Sequence, residues 1–302
     1  MSTDVAATAP SRDRILHLLG RILRFPVTRI IVAFLLIGAA ANLARFVLTR
    51  LHAAVGLGQL RETSLLYAVP VVLAVHFTYL AYVRWVERRK ADELAYEGAL
   101  KEIGLGILTG ALLLSATVGA IAALGDYTVT AMNPWRNLVP PLAMALASAY
   151  VEELLFRGLL FRVVEEGLGT WIALLISSAF FGLVHIANPN ATLLSGVAIF
   201  LEAGILLGGA YVLTRRLWLA IGIHFAWNFT QGGIFGINVS GVSVGGLLES
   251  HLSGSPFLSG GALGAEASVF AVAFCLAVAV AFLVVAFRRG RFVSPFWRRS
   301  KS

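Results

Sequence analysis

Charged residues are scarce in this sequence. Asp, Glu, Lys and Arg make up 13% of it, about half the share of an ordinary soluble domain. Cysteine is nearly absent. The single one, Cys275, excludes an intrachain disulfide, and its apolar neighbours disfavour the thiolate that a cysteine nucleophile needs. There is no His-Glu-x-x-His, which removes one zinc-protease signature. There is also no Gly-x-Gly-Asp; Gly125-Asp126 stands at the edge of an apolar run without a second aspartate. Gly241-Val242-Ser243-Val244-Gly245 has the spacing of a serine-nucleophile turn, but it sits in a Gly-rich stretch with no strand-turn-helix context. The net charge of +8 does not point to nucleic acid, because Arg and Lys fall in short segments between apolar runs. A cleavable signal peptide is not expected: residues 1–29 are basic and polar, and the first apolar run is too long for a signal core.

Long apolar runs are what the sequence has in abundance, with 58% hydrophobic residues. A helix needs about 20 mostly apolar residues to cross a bilayer. Eight helical spans are predicted, near 30–48, 65–83, 103–124, 138–160, 171–187, 193–213, 217–235 and 267–287. Strands would need the alternating pattern of a closed barrel, which is missing. The expected fold class is therefore all-α, a polytopic helical bundle in the cell membrane, with lipid as its main solvent. Five parts follow: a basic segment 1–29; first spans 30–137, with a charged linker 84–101 expected as a surface helix; a core 138–235; a Gly/Ser-rich loop 236–266, expected to be mobile; and a last span with a basic tail, 267–302.

Basic residues orient these spans. With the N-terminus inside, inner segments hold the Arg clusters at 12–29, 84–90, 215–216 and 288–299, while outer segments hold only Arg50, Arg61 and Arg136. Both termini are expected in the cytoplasm. Glycines recur four apart at Gly106/Gly110 and Gly204/Gly208, which predicts close helix contacts.

Ionisable residues inside spans cost roughly 3 kcal/mol or more and need a partner or a purpose. The fourth span holds Glu152 and Glu153, the fifth His185, and the seventh His224 and Asn228. Glu153 and Arg157 are four apart and can pair, which leaves Glu152, about 100° around the helix, for other work. His224 and Asn228 are also four apart and present two donors on one face, and Phe181 walls the face of His185. Peptide hydrolysis needs an activated water and oxyanion donors. Glu152 is the candidate base, His185 orients the water or carries a proton, and His224 with Asn228 supplies the donors. His76 receives no role, and Glu202 is either a structural partner for a buried donor or a neighbour of the site.

Glu152-Glu153-x-x-x-Arg157, Phe181-x-x-x-His185 and His224-x-x-x-Asn228 resemble, in order, the three motifs of the CPBP family of intramembrane endopeptidases, the CAAX prenyl protease 2 or lysostaphin resistance protein A-like proteins. The likeness covers about residues 138–232. It implies an eight-span bundle and an endopeptidase acting on a membrane protein or peptide, lipidated or not, in the bilayer. It implies Glu152 and His185 as the water-activating pair, and His224 and Asn228 as oxyanion donors, supported by Glu153, Arg157 and Phe181. No cofactor is favoured; a zinc ion on Glu152, His185 and His224 is the metal alternative. A non-catalytic membrane scaffold or bacteriocin self-immunity protein on the same fold is the alternative to an enzyme. Depth poses one demand. At ~1.5 Å per residue, Glu152 lies ~15 Å from Arg162 but His185 ~22 Å from Thr170, so a tilt or a shifted helix start must bring them level.

Overall fold

The computed structural model describes residues 25–56 and 64–299. The basic positions Arg12 to Arg24, as well as Arg61 and Lys301, lie outside these residues. Long apolar sequences fold here as helices because only a helix pairs every backbone N–H and C=O within one lipid-facing segment. Helix α1 (Pro26–Ala54) opens with a proline whose missing N–H costs nothing in a first turn. Helix α2 (Leu65–Tyr82) starts at Ser64, whose hydroxyl accepts the Leu66 N–H, and runs into a π-helical turn, Val83–Glu87. Helix α3 (Ala99–Ala123) leads to strand β1 (Tyr127–Met132). Helix α4 (Val139–Glu153) continues as a π-helix, Leu154–Phe161, and then as α5 (Arg162–His185). Helices α6 (Leu193–Ile199) and α7 (Ile205–Thr214) flank a third π stretch, Phe200–Gly204. Helix α8 (Trp218–Asn228) passes into a fourth, Phe229–Ile234. After strand β2 (Leu248–Leu252), α9 (Val269–Arg288) closes the bundle.

The protein is an integral, multi-pass membrane protein. Among the described residues, six helical stretches are long and apolar enough to cross a bilayer; one is the 51-residue stretch Trp135–His185. That stretch is not straight. Gly169 has φ 80°, ψ 169°, outside any helix, and the chain reverses there. The Ser177 hydroxyl donates to the Phe156 carbonyl at 2.9 Å, although a continuous helix would hold these residues roughly 30 Å apart. Only glycine fits this turn: φ is positive, and an added Cβ would lie 2.8 Å from the Val293 carbonyl oxygen.

Small residues bring the helices into contact where the sequence pattern placed them. A Cβ on Gly106 would sit 2.5 Å from the Leu219 carbonyl oxygen, and one on Gly110 would overlap that of Ile223, so α3 and α8 touch backbone to backbone. Gly204 packs against Ser178 and Gly208 against Leu174, which fixes the π–α7 segment on α5.

The structure corrects three expectations. The linker 84–101 is not one surface helix; between the π-helical turn ending at Glu87 and the start of α3 at Ala99 it holds a 3-10 turn, Asp92–Leu94. Its acids are drawn into the bundle instead. Glu87 bonds Arg29, Arg89 and Arg162, and Glu93 bonds Arg89 and Tyr79, so side-chain pairing replaces helical periodicity. The stretch before Thr170, expected as a loop, is helical as far as Gly169, which moves the turn outward. The loop 236–266 has structure: β2 pairs antiparallel with β1, Tyr127 opposite Leu252, and it carries the turns Pro256–Ser259 and Ala265–Ala267.

Candidate active site

Three helices deliver the polar residues of the core. Glu152 and Glu153 end α4, where the π-helical turn begins; π segments are energetically poor and cluster at functional sites. His185 is the last residue of α5, and His224 and Asn228 lie on α8. Glu152 and His185 are nearly equidistant in sequence from Gly169, so the longer first arm of the hairpin answers the depth demand.

The two imidazoles converge on one carboxylate oxygen. Glu152 Oε2 lies 3.8 Å from His185 Nε2 and 3.8 Å from His224 Nε2. This oxygen is buried yet has no hydrogen-bond partner among the protein's groups. Neighbours fix the far side of each ring. His185 Nδ1 lies 2.7 Å from the Phe181 carbonyl oxygen, which accepts, so the Nδ1 carries the proton and Nε2 faces Glu152. His224 Nδ1 donates to Glu153 Oε1 at 2.9 Å.

Glu153 is not free. Its Oε1 also accepts from Arg157 Nη1 at 2.8 Å, and both side chains are fully buried. Arg157 Nη2 donates to the carbonyls of Ala203 and Gly204, both at 3.1 Å, and the guanidinium lies 4.4 Å from the Phe181 ring centre. One buried arginine thus ties α4 to the π segment 200–204 and holds the counter-ion of His224. Phe181 also packs against both imidazoles: its ring stands 4.7 Å from that of His185, 5.9 Å from that of His224 and 5.0 Å from that of Phe156.

Asn228 Nδ2 donates to Ser148 Oγ at 3.1 Å. Ser148 stands one turn before Glu152 on the same face of α4, so this bond brings the amide to the Glu152 side. Sequence reasoning passed over Ser148; its place four residues before the acid was the available signal.

Behind the imidazoles lies a cavity of about 30 Å³, lined by His185, His224 and Asn228 together with Glu202, Ser240 and Glu266. Glu202 therefore belongs beside the site. Ser240 and Glu266 come from the loop 236–266 and carried no sequence signal, because their placement depends on how that loop folds back. Glu266 accepts the Ser240 N–H at 2.6 Å and the Gln231 amide at 3.0 Å, and burial pushes its carboxyl above the ordinary range. His76 stands apart, its Nδ1 at 2.5 Å from the Tyr150 hydroxyl. Among the described residues no group of three or more His, Cys, Asp or Glu is arranged to hold a metal ion.

Compared with known proteins, residues 134–230 match the family model described as "Rce1-like: Type II CAAX prenyl endopeptidase Rce1-like". The matched stretch contains all three motifs, from Glu152 to Asn228. No curated protein and no solved structure matches the chain.

Proposed function

We propose, from the match of residues 134–230 to the Rce1-like family model, that the chain is an intramembrane endopeptidase in which Glu152 and His185 activate a water. The observation that carries the reading is the pair of 3.8 Å separations from Glu152 Oε2 to both imidazoles. That span is too long for a direct hydrogen bond and suits one bridging water.

The chemistry follows from the bonds around each ring. With its Nδ1–H donating a hydrogen bond to the Phe181 carbonyl, His185 turns the lone pair of Nε2 toward Glu152. A water held there gives one hydrogen to His185 and the other to the Glu152 carboxylate, leaving an oxygen lone pair for the scissile carbonyl carbon. Glu152 takes a proton as the C–O bond forms and delivers it to the leaving nitrogen as the C–N bond breaks. The products separate as a carboxylate and an ammonium, the second water proton passing from the new carboxyl to the amine.

The oxyanion needs donors. His224 supplies an Nε2–H when protonated, with the Glu153 carboxylate as its counter-ion, and Asn228 has a second amide N–H beyond the one that Ser148 accepts. Arg157 holds the Glu153 side chain in place through its 2.8 Å bond. The mechanism uses no metal. The substrate is a peptide bond in a membrane-associated protein or peptide; nothing in the site requires a lipid group on it.

The test compares the membrane proteomes of cells expressing wild type and Glu152→Ala. Fragments present only with the wild type, or a precursor accumulating only with the variant, are expected. Identical proteomes with both proteins equally abundant would overturn the reading.

A further inference from the structure

The basic end of the bundle, where the arginines gather, holds them in two states. One set is neutralised within the protein: Arg29 and Arg162 bond Glu87, Arg89 bonds Glu93, Arg215 bonds Glu165 and Arg216 bonds Glu102. The segment at the end of α9 is different. Residues 287–299 contain five Arg and no Asp or Glu. Arg288, Arg289, Arg291 and Arg298 are exposed, and among the described residues their side chains have no ion pair or hydrogen bond. Like charges this close repel one another, so the segment favours an anionic partner from outside the chain.

Depth and composition say where that partner lies. Helix α9 has 20 residues, which at ~1.5 Å each cover a hydrocarbon layer of about 30 Å, so the chain beyond Arg288 emerges at headgroup level. Aromatic rings accompany the charges, as they do at membrane–water boundaries. Phe287, Phe296, Trp297 and Trp171 are exposed, and the Phe292 ring stands 4.8 Å from that of Trp171 and 5.6 Å from that of Phe287. The segment is also fastened to the bundle. The Val293 carbonyl accepts the Thr170 N–H at 3.0 Å, and the Val293 N–H donates to Thr170 Oγ1 at 2.8 Å. The Arg291 carbonyl accepts from Arg215, and Pro295 abuts Gly169. This strap thus lies across the Gly169 turn, which joins the two arms of the hairpin that carry Glu152 and His185.

We propose that residues 287–299 bind the phosphate headgroup of an anionic phospholipid, and that the bound headgroup tightens the Gly169 turn. Arginine suits this ligand, because its planar guanidinium can donate two parallel hydrogen bonds to one phosphate. A cluster of basic residues directly beside a membrane helix attracts anionic lipid. Zwitterionic headgroups carry no net charge and gain little from it. Neither half of the proposal rests on the endopeptidase reading.

The test uses the full chain, purified and returned to vesicles of phosphatidylcholine alone or of phosphatidylcholine with phosphatidylglycerol. Wild type is compared with a variant carrying Arg288→Gln, Arg289→Gln and Arg298→Gln; Arg298→Gln with Trp297→Ala takes its place if that variant is not produced. Mass spectrometry of the lipid that stays with the protein after release from mixed vesicles should show phosphatidylglycerol enriched on the wild type. The enrichment should fall by about fivefold or more in the variant, fivefold being the worth of one arginine near an anionic surface. No enrichment on the wild type, or enrichment that the variant retains, would overturn the site. Hydrogen exchange of the backbone around Thr170 should slow, and the melting midpoint rise, when phosphatidylglycerol is present with the wild type but not with the variant. Unchanged exchange with lipid bound would overturn the coupling to the turn. Inorganic phosphate added to phosphatidylcholine vesicles should reproduce neither effect; if it does, the ligand is a free anion and the lipid assignment fails.

Discussion

At the scale of single residues, the candidate site rests on Arg157. It is fully buried and holds Glu153 by a 2.8 Å bond, while Glu153 holds His224. Removing one partner of a buried ion pair leaves the other charge uncompensated, at a cost of about 3–5 kcal/mol. Arg157→Met is expected to lower stability by that order, read as a drop in the unfolding midpoint in detergent micelles. Arg157→Met combined with Glu153→Gln should recover part of the loss, because no unpaired charge then remains. The sequence showed this pair through its i, i+4 spacing. It did not show the carbonyls of Ala203 and Gly204 that share the guanidinium, since a contact between distant segments leaves no local periodicity. Asn228 has a different prospect. Asn228→Ala removes one oxyanion donor and should reduce turnover about 10²–10³-fold, with the unfolding midpoint unmoved beyond the small loss of its bond to Ser148, as rate and melting measured on one preparation would show.

At the scale of elements, the hairpin α4–π–α5 brings the acid and the first imidazole together, and its hinge is one glycine. Gly169→Val meets both a positive φ and the Val293 carbonyl 2.8 Å from any added Cβ. A destabilisation greater than about 1 kcal/mol is expected, more than the gain a residue change ordinarily brings through the unfolded chain. Thermal unfolding of the purified variant checks it, and wild-type stability would contradict the hinge. The helices themselves were legible, because apolar runs in lipid have few other options. The π-helical turns were not: Leu154–Phe161 and Phe229–Ile234 have compositions ordinary for α-helix, and only packing against neighbouring segments selects the wider turn. The linker 84–101 misled for the opposite reason. Its mixture of Glu, Arg and Ala looks like a solvated helix, but its acids have buried basic partners on other elements.

At the scale of the whole molecule, the basic end acts as an electrostatic clasp. Burial alone would raise the Glu93 carboxyl, but the hydrogen bonds and charge of Arg89 outweigh it and hold it below the ordinary value. A depressed carboxylate contributes stability that is fully present above its unfolded value, about 4.5, and is lost as pH falls through the lower folded value. The melting midpoint should therefore hold steady down to about pH 5 and decline below it. Glu93→Gln should start lower and decline less steeply, as a series of melts across pH would reveal. Membrane residence and the motif core were readable from the sequence at this scale. The way the loop 236–266 folds over the site was not, because Gly- and Ser-rich sequence is compatible with many paths and the pairing of β1 with β2 spans over a hundred residues.

The central claim is that the Glu152 carboxylate activates water between two imidazoles. Its most direct test is the single-turnover rate of Glu152→Gln, purified and reconstituted beside wild type, on a peptide identified from the wild-type cuts. A loss of about 10²–10⁴-fold with an unchanged melting midpoint is predicted, the contribution expected of a positioned general base. A Glu152→Gln rate within a few-fold of wild type would contradict the account.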